Sequence, residues 1–341
     1  MITGHGDDAY QFDHKIVSNF SSNVYNKFDL KDLKEYLWTN ISSIHSYPEP
    51  DALTLRKFIG QKLGISKGEI GVTNGATEAI YLIAQAFRGS KTAVLIPTFR
   101  EYEDACEIHD HNLYDIDSLE DIQPDTQLVW LCNPNNPTGE IYDKEYLERI
   151  ISNNPNTCFV IDQSYAAFTN HIIWSASQAL KFNNVVLLHS LTKCYAIPGL
   201  RLGYITAQKN KIDKIKHYSM PWSVNQLAQL AGLYLLDNAL YDFSDYLQES
   251  QRVQKQLAEV SGVKVHTSGM HFFLCQLEIG KAADLKKYLV EKYCFLIRDA
   301  ANFRGLNESY FRIAVQEESN NNLLVKAIKE WIRSQTSLLI G

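Results

Sequence analysis

The sequence has no apolar run approaching the roughly 20 residues that cross a bilayer, so no segment reads as a membrane span. It has no surplus of positive charge either. Its 33 lysines and arginines face 39 aspartates and glutamates, a formal net charge of −6. That balance offers no basic face to nucleic acid or to an anionic membrane surface. The six cysteines, at 106, 132, 158, 194, 275 and 294, form no CxxC pair. This argues against a zinc site or a disulfide framework and for free thiols in a reducing cytoplasm. The opening residues, MITGHGDDAYQFDHK, are polar and acidic and do not read as a secretory signal. There is no internal repeat and no low-complexity tract. What remains is ordinary globular composition: 341 residues, 45% hydrophobic and 21% charged. That is enough chain for one large core or two unequal domains.

The middle of the chain alternates short apolar runs with helical patterns. KTAVLIP (91–97), QLVWLCNP (127–134), TCFVIDQ (157–163), NVVLLHSL (184–191) and RLGYITA (201–207) are continuous apolar segments bounded by turn residues. Such runs fit strands buried on both faces. Between them, Ile80, Ile83, Ala84 and Phe87 recur at helical spacing, as do Leu147, Ile150 and Ile151 after Asp143. The alternation predicts an α/β fold whose large domain is a mainly parallel sheet flanked by helices. Ligands of such sheets sit beyond the carboxyl ends of the strands. After about residue 230 the texture changes. A charged helical stretch (Leu236 to Val260) precedes HFFLCQLE (271–278), CFLIRD and YFRIAV. We expect a large domain over 45–230 and a discontinuous, smaller α+β domain from 1–44 and 231–341.

One lysine stands apart. Lys193 follows the apolar run NVVLLH, lies beside the hydroxyls of Ser190 and Thr192, and precedes Arg201 by eight residues. A nucleophilic amine beside groups that hold a phosphate is what pyridoxal phosphate requires. A strand ending in a polar turn yields the same residues. Four further segments fall at strand ends. TNGATEA (73–79) opens a helix with small residues, where exposed N–H groups favour a phosphate. NPNNPTG (133–139) is a rigid turn that presents Asn136. VIDQSY (160–165) ends a buried run in Asp162, which is either a helix cap or an anion for a protonated pyridine nitrogen; Tyr165 follows. PTFREY (97–102) offers Phe99, or Tyr102, as a face to stack on a ring.

The order of these elements (small-residue helix start, aromatic, NNPTG, DxxY, SLTK, GLRLGY) resembles the fold-type I pyridoxal-phosphate enzymes of the class I/II aminotransferase group. Within that group GHG (4–6), FSSN (20–23), MPWSVNQLAQLAG (220–232) and IRDAANFRGL followed by YFRIAV (297–315) resemble the threonine-phosphate decarboxylases of corrinoid synthesis. Histidinol-phosphate aminotransferases are the near relatives. The resemblance implies an aspartate-aminotransferase-like fold, pyridoxal 5′-phosphate as cofactor, a homodimer, and a small phosphorylated amino acid as substrate. It implies decarboxylation of O-phospho-L-threonine, with amino transfer from histidinol phosphate as the alternative. It further implies that Lys193 is the Schiff-base lysine, that Asp162 meets the pyridine nitrogen and that Tyr165 meets the phenolate. Ala76, Thr77, Ser190, Thr192 and Arg201 would hold the phosphate, joined by Tyr47 from the neighbouring subunit. His5, Gly6, Asn23, Asn136, Arg298 and Arg312 would bind the substrate. Two positions depart from the decarboxylases: Asp7 and Asp8 stand in HGDD where they read HGGN, and Tyr165 stands where they tend to carry phenylalanine. Acids beside a substrate phosphate repel it unless they point away.

Overall fold

A computed structural model describes residues 6–13, 15–238 and 240–340. Among them, seven strands form a central sheet: β1 (Ile70–Thr73), β2 (Lys91–Leu95), β3 (Asn112–Ile116), β4 (Leu128–Cys132), β5 (Cys158–Asp162), β6 (Val185–Ser190) and β7 (Gly203–Ala207). Their spatial order is β1-β7-β6-β5-β4-β2-β3, and of these seven β7 alone runs against the rest. The expected α/β architecture is therefore present, mainly parallel and flanked by helices. The edge strands β1 and β3 carry Gly71 and the polar Asn112 and Asp115, so neither reads as an apolar run.

The core explains why the inner strands are apolar on both faces up to their carboxyl ends. Along β4, Leu128, Trp130 and Cys132 enter the core on one face, while Val129 and Leu131 enter the core on the other. β5 and β6 divide in the same way, Cys158, Val160, Val186 and Leu188 against Phe159, Ile161, Val185 and Leu187. The helix Gly75–Ala86 buries Ala79, Ile80 and Ile83 on the first face. The helix Lys144–Asn153 buries Leu147, Ile150 and Ile151 on the second.

A second, antiparallel sheet has the order Arg298–Asp299, Tyr310–Ala314, Phe272–Leu277, Val263–His266. The N-terminal segment joins this side of the molecule. Ser18–Asn19 pairs in parallel with Phe295–Leu296, and the Ala314 N–H donates to the Phe20 carbonyl at 2.8 Å. Two expectations need correction. The stretch from Leu236 to Val260 is not one helix. One helix ends at Asp237 and the next is Ser244–Ala258. The Asp242 carboxylate accepts from Ser244 N at 2.9 Å and Ser244 Oγ at 2.6 Å, a local bond that competes with helix continuation. CFLIRD is likewise two short strands, Phe295–Leu296 and Arg298–Asp299, in different sheets. The expected boundary at residue 230 falls within the helix Gln226–Asp237, which packs on both Lys31–Thr39 and Leu53–Leu63. No helix among the described residues is long and apolar enough to cross a membrane.

Candidate active site

The parallel strands bring their carboxyl ends to one edge, and the functional segments follow from that edge. β5 ends at Asp162, β6 at Ser190, and β4 runs into the turn bearing Asn136. Because β7 is antiparallel, its first residue, Gly203, pairs with Ser190. That pairing delivers Arg201 to the same edge. A cavity of about 100 Å³ lies there, lined by Ala76, Thr77, Phe99, Asn136, Asp162, Tyr165, Ser190, Thr192, Lys193 and Arg201 among others. A larger cavity of about 400 Å³ shares Thr77, Phe99, Asn136, Tyr165, Lys193 and Arg201 with it and extends to Gly6, Asp7, Asn23, Arg298 and Arg312.

One end of the smaller cavity is built for an anion. The helix Gly75–Ala86 has no side-chain cap at Asn74, so its first N–H groups remain available. Gly75 has φ +79°, and a Cβ there would stand 2.5 Å from Arg201 Nη2. Glycine is thus what lets the guanidinium lie over the helix start. A Cβ at Gly203 would meet Ala76 N at 2.8 Å and the His189 carbonyl at 2.9 Å, so β7 can approach the helix only with glycine there. The hydroxyls of Ser190 and Thr192 are buried and 2.8 Å apart. Arg201 itself is left-handed, φ 56°, and its Nη1 donates to the Pro198 carbonyl at 3.0 Å.

Asp162 is buried, 4% exposed. Its Oδ2 accepts from the Tyr102 hydroxyl at 2.7 Å, and its Oδ1 accepts from Ser164 N at 2.8 Å and Ser164 Oγ at 2.5 Å. Burial raises its pKa, against the lowering by these donors and by Lys193. An anion so placed gains most from a cation brought into the cavity. Tyr102 is fully buried and stacked on Trp130, with ring centroids 5.1 Å apart. It donates to Asp162 and also lines the smaller cavity. Phe99 lines both cavities.

Lys193 is half-buried. Burial, then the positive charges of Arg312 and Arg201, lower its pKa to about 8, against the opposing pull of Asp7 and Asp162. An ordinary lysine titrates near 10.4, so this amine is far more readily neutral and nucleophilic. The Tyr165 hydroxyl accepts from Asn23 Nδ2 at 3.1 Å, and burial pushes the phenol up to about 12.

The larger cavity carries two guanidiniums. Arg298 and Arg312 are register partners on adjacent antiparallel strands, which places both side chains on one face. Arg312 is 4% exposed, donates from Nη1 to Asn136 Oδ1 at 2.5 Å and also bonds the Ser21 carbonyl. Burial lowers its pKa to about 10. Arg298 donates from Nη2 to Asn302 Oδ1 at 2.6 Å and lies over the Phe303 ring at 5.1 Å. Gly6 sits against Arg298, where a Cβ would be 3.3 Å from Cδ. The two departures in HGDD part company. Asp8 pairs with Lys286 at 2.5 Å, while Asp7 lines the cavity with φ 62° and accepts from Asn19.

The chain thus assembles the expected Lys193, Asp162, Tyr165, Ala76, Thr77, Phe99, Asn136, Ser190, Thr192, Arg201, Gly6, Asn23, Arg298 and Arg312 around adjoining cavities. His5 lies outside the described residues. Tyr47 does not line either cavity; it is 85% exposed, with its ring 5.2 Å from that of Trp222. Ser164, Asn302 and the Tyr102–Asp162 bond went unread. Only the proximity of Ser164 to Asp162 in the sequence could have signalled any of them.

The residues fit pyridoxal 5′-phosphate. The cradle at Gly75 offers phosphate donors, Asp162 an anion for a ring nitrogen, and Lys193 an amine of lowered proton affinity. A family model for aminotransferase class I and II matches residues 15–328. The chain is 33% identical over 320 residues to histidinol-phosphate aminotransferase of a Thermoanaerobacter species, covering 88% of each. It is 30% identical over 330 residues to threonine-phosphate decarboxylase of Salmonella typhimurium, covering 91% of this chain and 90% of the relative. The crystal structure of L-threonine-O-3-phosphate decarboxylase from Porphyromonas gingivalis superposes with a TM-score of 0.91 at 39% identity, over 93% of this chain and 100% of that one. With the motifs, the sheet and the site in agreement, the chain belongs to the aminotransferase class I and II family, and its cofactor is pyridoxal 5′-phosphate.

Proposed function

We propose that this protein releases CO₂ from O-phospho-L-threonine and leaves an aminopropanol phosphate. The observation that carries the reading is the pair of buried guanidiniums, Arg298 and Arg312, on one face of the cavity. A substrate with a carboxylate at one end and a phosphate at the other meets both by charge-assisted bonds. The similarity to threonine-phosphate decarboxylases supports the same choice.

Pyridoxal phosphate, when bound, draws electrons from the α-carbon of an amino acid attached to it. The chain's own residues do the rest. Arg312, whose charge acts on both Lys193 and Tyr165, holds the carboxylate near the reacting centre. Arg298 holds the phosphate. With the carboxylate held by Arg312, loss of CO₂ would leave the α-carbon to be protonated, and Lys193 Nζ would return a proton to that carbon. Asp162 stands at the deep end to meet a cationic ring nitrogen, Asn23 orients the Tyr165 hydroxyl, and Asn136 fixes Arg312. Amino transfer from histidinol phosphate is the second reading. Tyr165, aminotransferase-like in character, favours it, as does the 33% identity to a histidinol-phosphate aminotransferase.

Product analysis with phospho-threonine, with and without 2-oxoglutarate, decides between them. CO₂ release independent of the keto acid is expected. If phospho-threonine yields no CO₂ and histidinol phosphate passes its amine to 2-oxoglutarate, the decarboxylase reading gives way. Arg298→Ala is expected to lower kcat/KM for phospho-threonine by roughly ten- to a hundred-fold, the cost of one charge-assisted contact of ~1.5–3 kcal/mol. Plain threonine, lacking the phosphate, should lose far less. Equal losses on both compounds would place the phosphate elsewhere.

We also propose a homodimer in which Tyr47 reaches the neighbour's cofactor phosphate. Tyr47, Trp222 and Met220 are 85%, 46% and 71% exposed, an apolar surface that a second copy would cover. Mixing inactive Lys193→Ala and Tyr47→Ala proteins should restore part of the activity, because one heterodimer site is intact. A fully active protein that sediments as a single chain contradicts this.

A further inference from the structure

Arg298 is not held by its strand alone. The turn after Arg298–Asp299 supplies two of its side-chain neighbours, Asn302 at Nη2 and Phe303 beneath the guanidinium plane. The next residue in that turn, Arg304, points away from the cavity into the flank of the central sheet. There its single guanidinium meets three carboxylates. Nε is 2.7 Å from Glu103 Oε2, Nη2 is 3.0 Å from Glu107 Oε1, and Nη1 is 3.0 Å and 3.3 Å from the two oxygens of Asp115. Glu103 and Glu107 lie on the helix Glu101–Ile108, and Asp115 lies on β3. The fork therefore ties the turn beside Arg298 to two elements of the large sheet's flank.

The planar guanidinium suits this task. Its donors radiate in fixed directions, so the hydrogen bonds to Glu107 and Asp115 define its orientation, while Glu103 adds a buried countercharge at Nε. The Arg304 side chain is 31% exposed and that of Glu103 only 1%, so the clamp is anchored at its inner end. Burial pushes the Glu103 carboxyl up to about 7 even beside Arg304, with Asp115, Arg100 and Asp104 as the other charges acting on it.

We propose that Arg304 is a positioning residue for substrate affinity: clamped by Glu103, Glu107 and Asp115, it fixes the turn that orients Arg298 and so sets how tightly the phosphate end of the substrate is held. The inference rests on the proposed role of Arg298 at that phosphate. Arg304 itself touches neither cavity lining nor reacting atoms.

The test uses the cofactor-loaded protein carrying Arg304→Gln, Arg304→Lys or Arg298→Ala. The substrates are the phosphorylated amine that product analysis selects and its unphosphorylated counterpart. Arg304→Gln should raise KM for the phosphorylated compound about tenfold, with kcat within about twofold, as expected for loosened ground-state binding. KM for the unphosphorylated compound and the cofactor absorbance should not change. Arg304→Lys, which keeps the charge and loses the fork, should recover part of the effect. If Arg298→Ala raises KM while Arg304→Gln does not, the inference falls and the substrate reading stands. If Arg298→Ala also leaves KM unchanged, both fall. A joint drop in kcat, cofactor content and melting temperature for Arg304→Gln would reduce Arg304 to a structural role and overturn the proposal.

Discussion

Replacing Lys193 with alanine is expected to cut turnover about 10⁴-fold, the largest effect of any single substitution in this chain. In the proposed scheme the amine has two duties, each lost with the side chain. It would anchor the cofactor covalently and carry the proton that the α-carbon must regain; positioned proton transfer alone contributes about 10²- to 10⁴-fold. Its surroundings fit the first duty. Burial and the charges of Arg312 and Arg201 bring its pKa to about 8. The sign follows directly: the amine is protonated and inert well below pH 8 and neutral above it. Capture of added cofactor by the cofactor-free protein should therefore speed up as pH rises and level off above about 8. Borohydride should fix the cofactor on the peptide containing Lys193. Labelling of a different lysine, or a Lys193→Ala protein with more than about 1% of normal turnover, would remove the central residue from the scheme.

Asp162→Asn should rank second. The asparagine keeps the size of the side chain and loses its charge. The raised pKa of Asp162 arises because burial outweighs the bonds from Ser164 and Tyr102. A protonated ring nitrogen would reverse that balance, since an opposite charge at close range favours the ionised carboxylate. If the anion raises the pKa of the ring nitrogen by ~2 units, its loss costs ~2.7 kcal/mol, or roughly a hundred-fold in rate. The cofactor should still bind, because Gly75, Ser190, Thr192 and Arg201 are untouched. Equilibrium titration with pyridoxal phosphate and steady-state rates on the same preparation check the two halves separately. Wild-type turnover in the variant would mean that another group supplies the charge.

Much of this was legible in order along the chain, and the exceptions share a cause. β4, β5 and β6 read as strands because both faces are buried, which forces successive apolar residues along them until their carboxyl ends. β1 and β3 did not, because an edge strand tolerates Gly71, Asn112 and Asp115. The long helix expected over Leu236–Val260 broke because Asp242 bonds Ser244 locally, a choice that hydrophobic spacing does not record. Tyr102, read from the sequence only as a ring-stacking face, also donates to Asp162. Those two residues are 60 positions apart, and only the fold brings them within 2.7 Å.

The sequence by itself determined which lysine, which acid and which small-residue helix start would stand at the ends of buried strands. Those features are local: an apolar run stops where the sheet stops, and the polar residues that follow must lie at its edge. Tertiary structure decided what those residues meet. The antiparallel course of β7 carried Arg201 over Gly75, the register of two short strands set Arg298 beside Arg312, and the fold placed Arg304 among three carboxylates. Each of these depends on the distance between residues far apart in the chain. Distance of that kind is set by packing and strand register, which no local pattern of residues encodes.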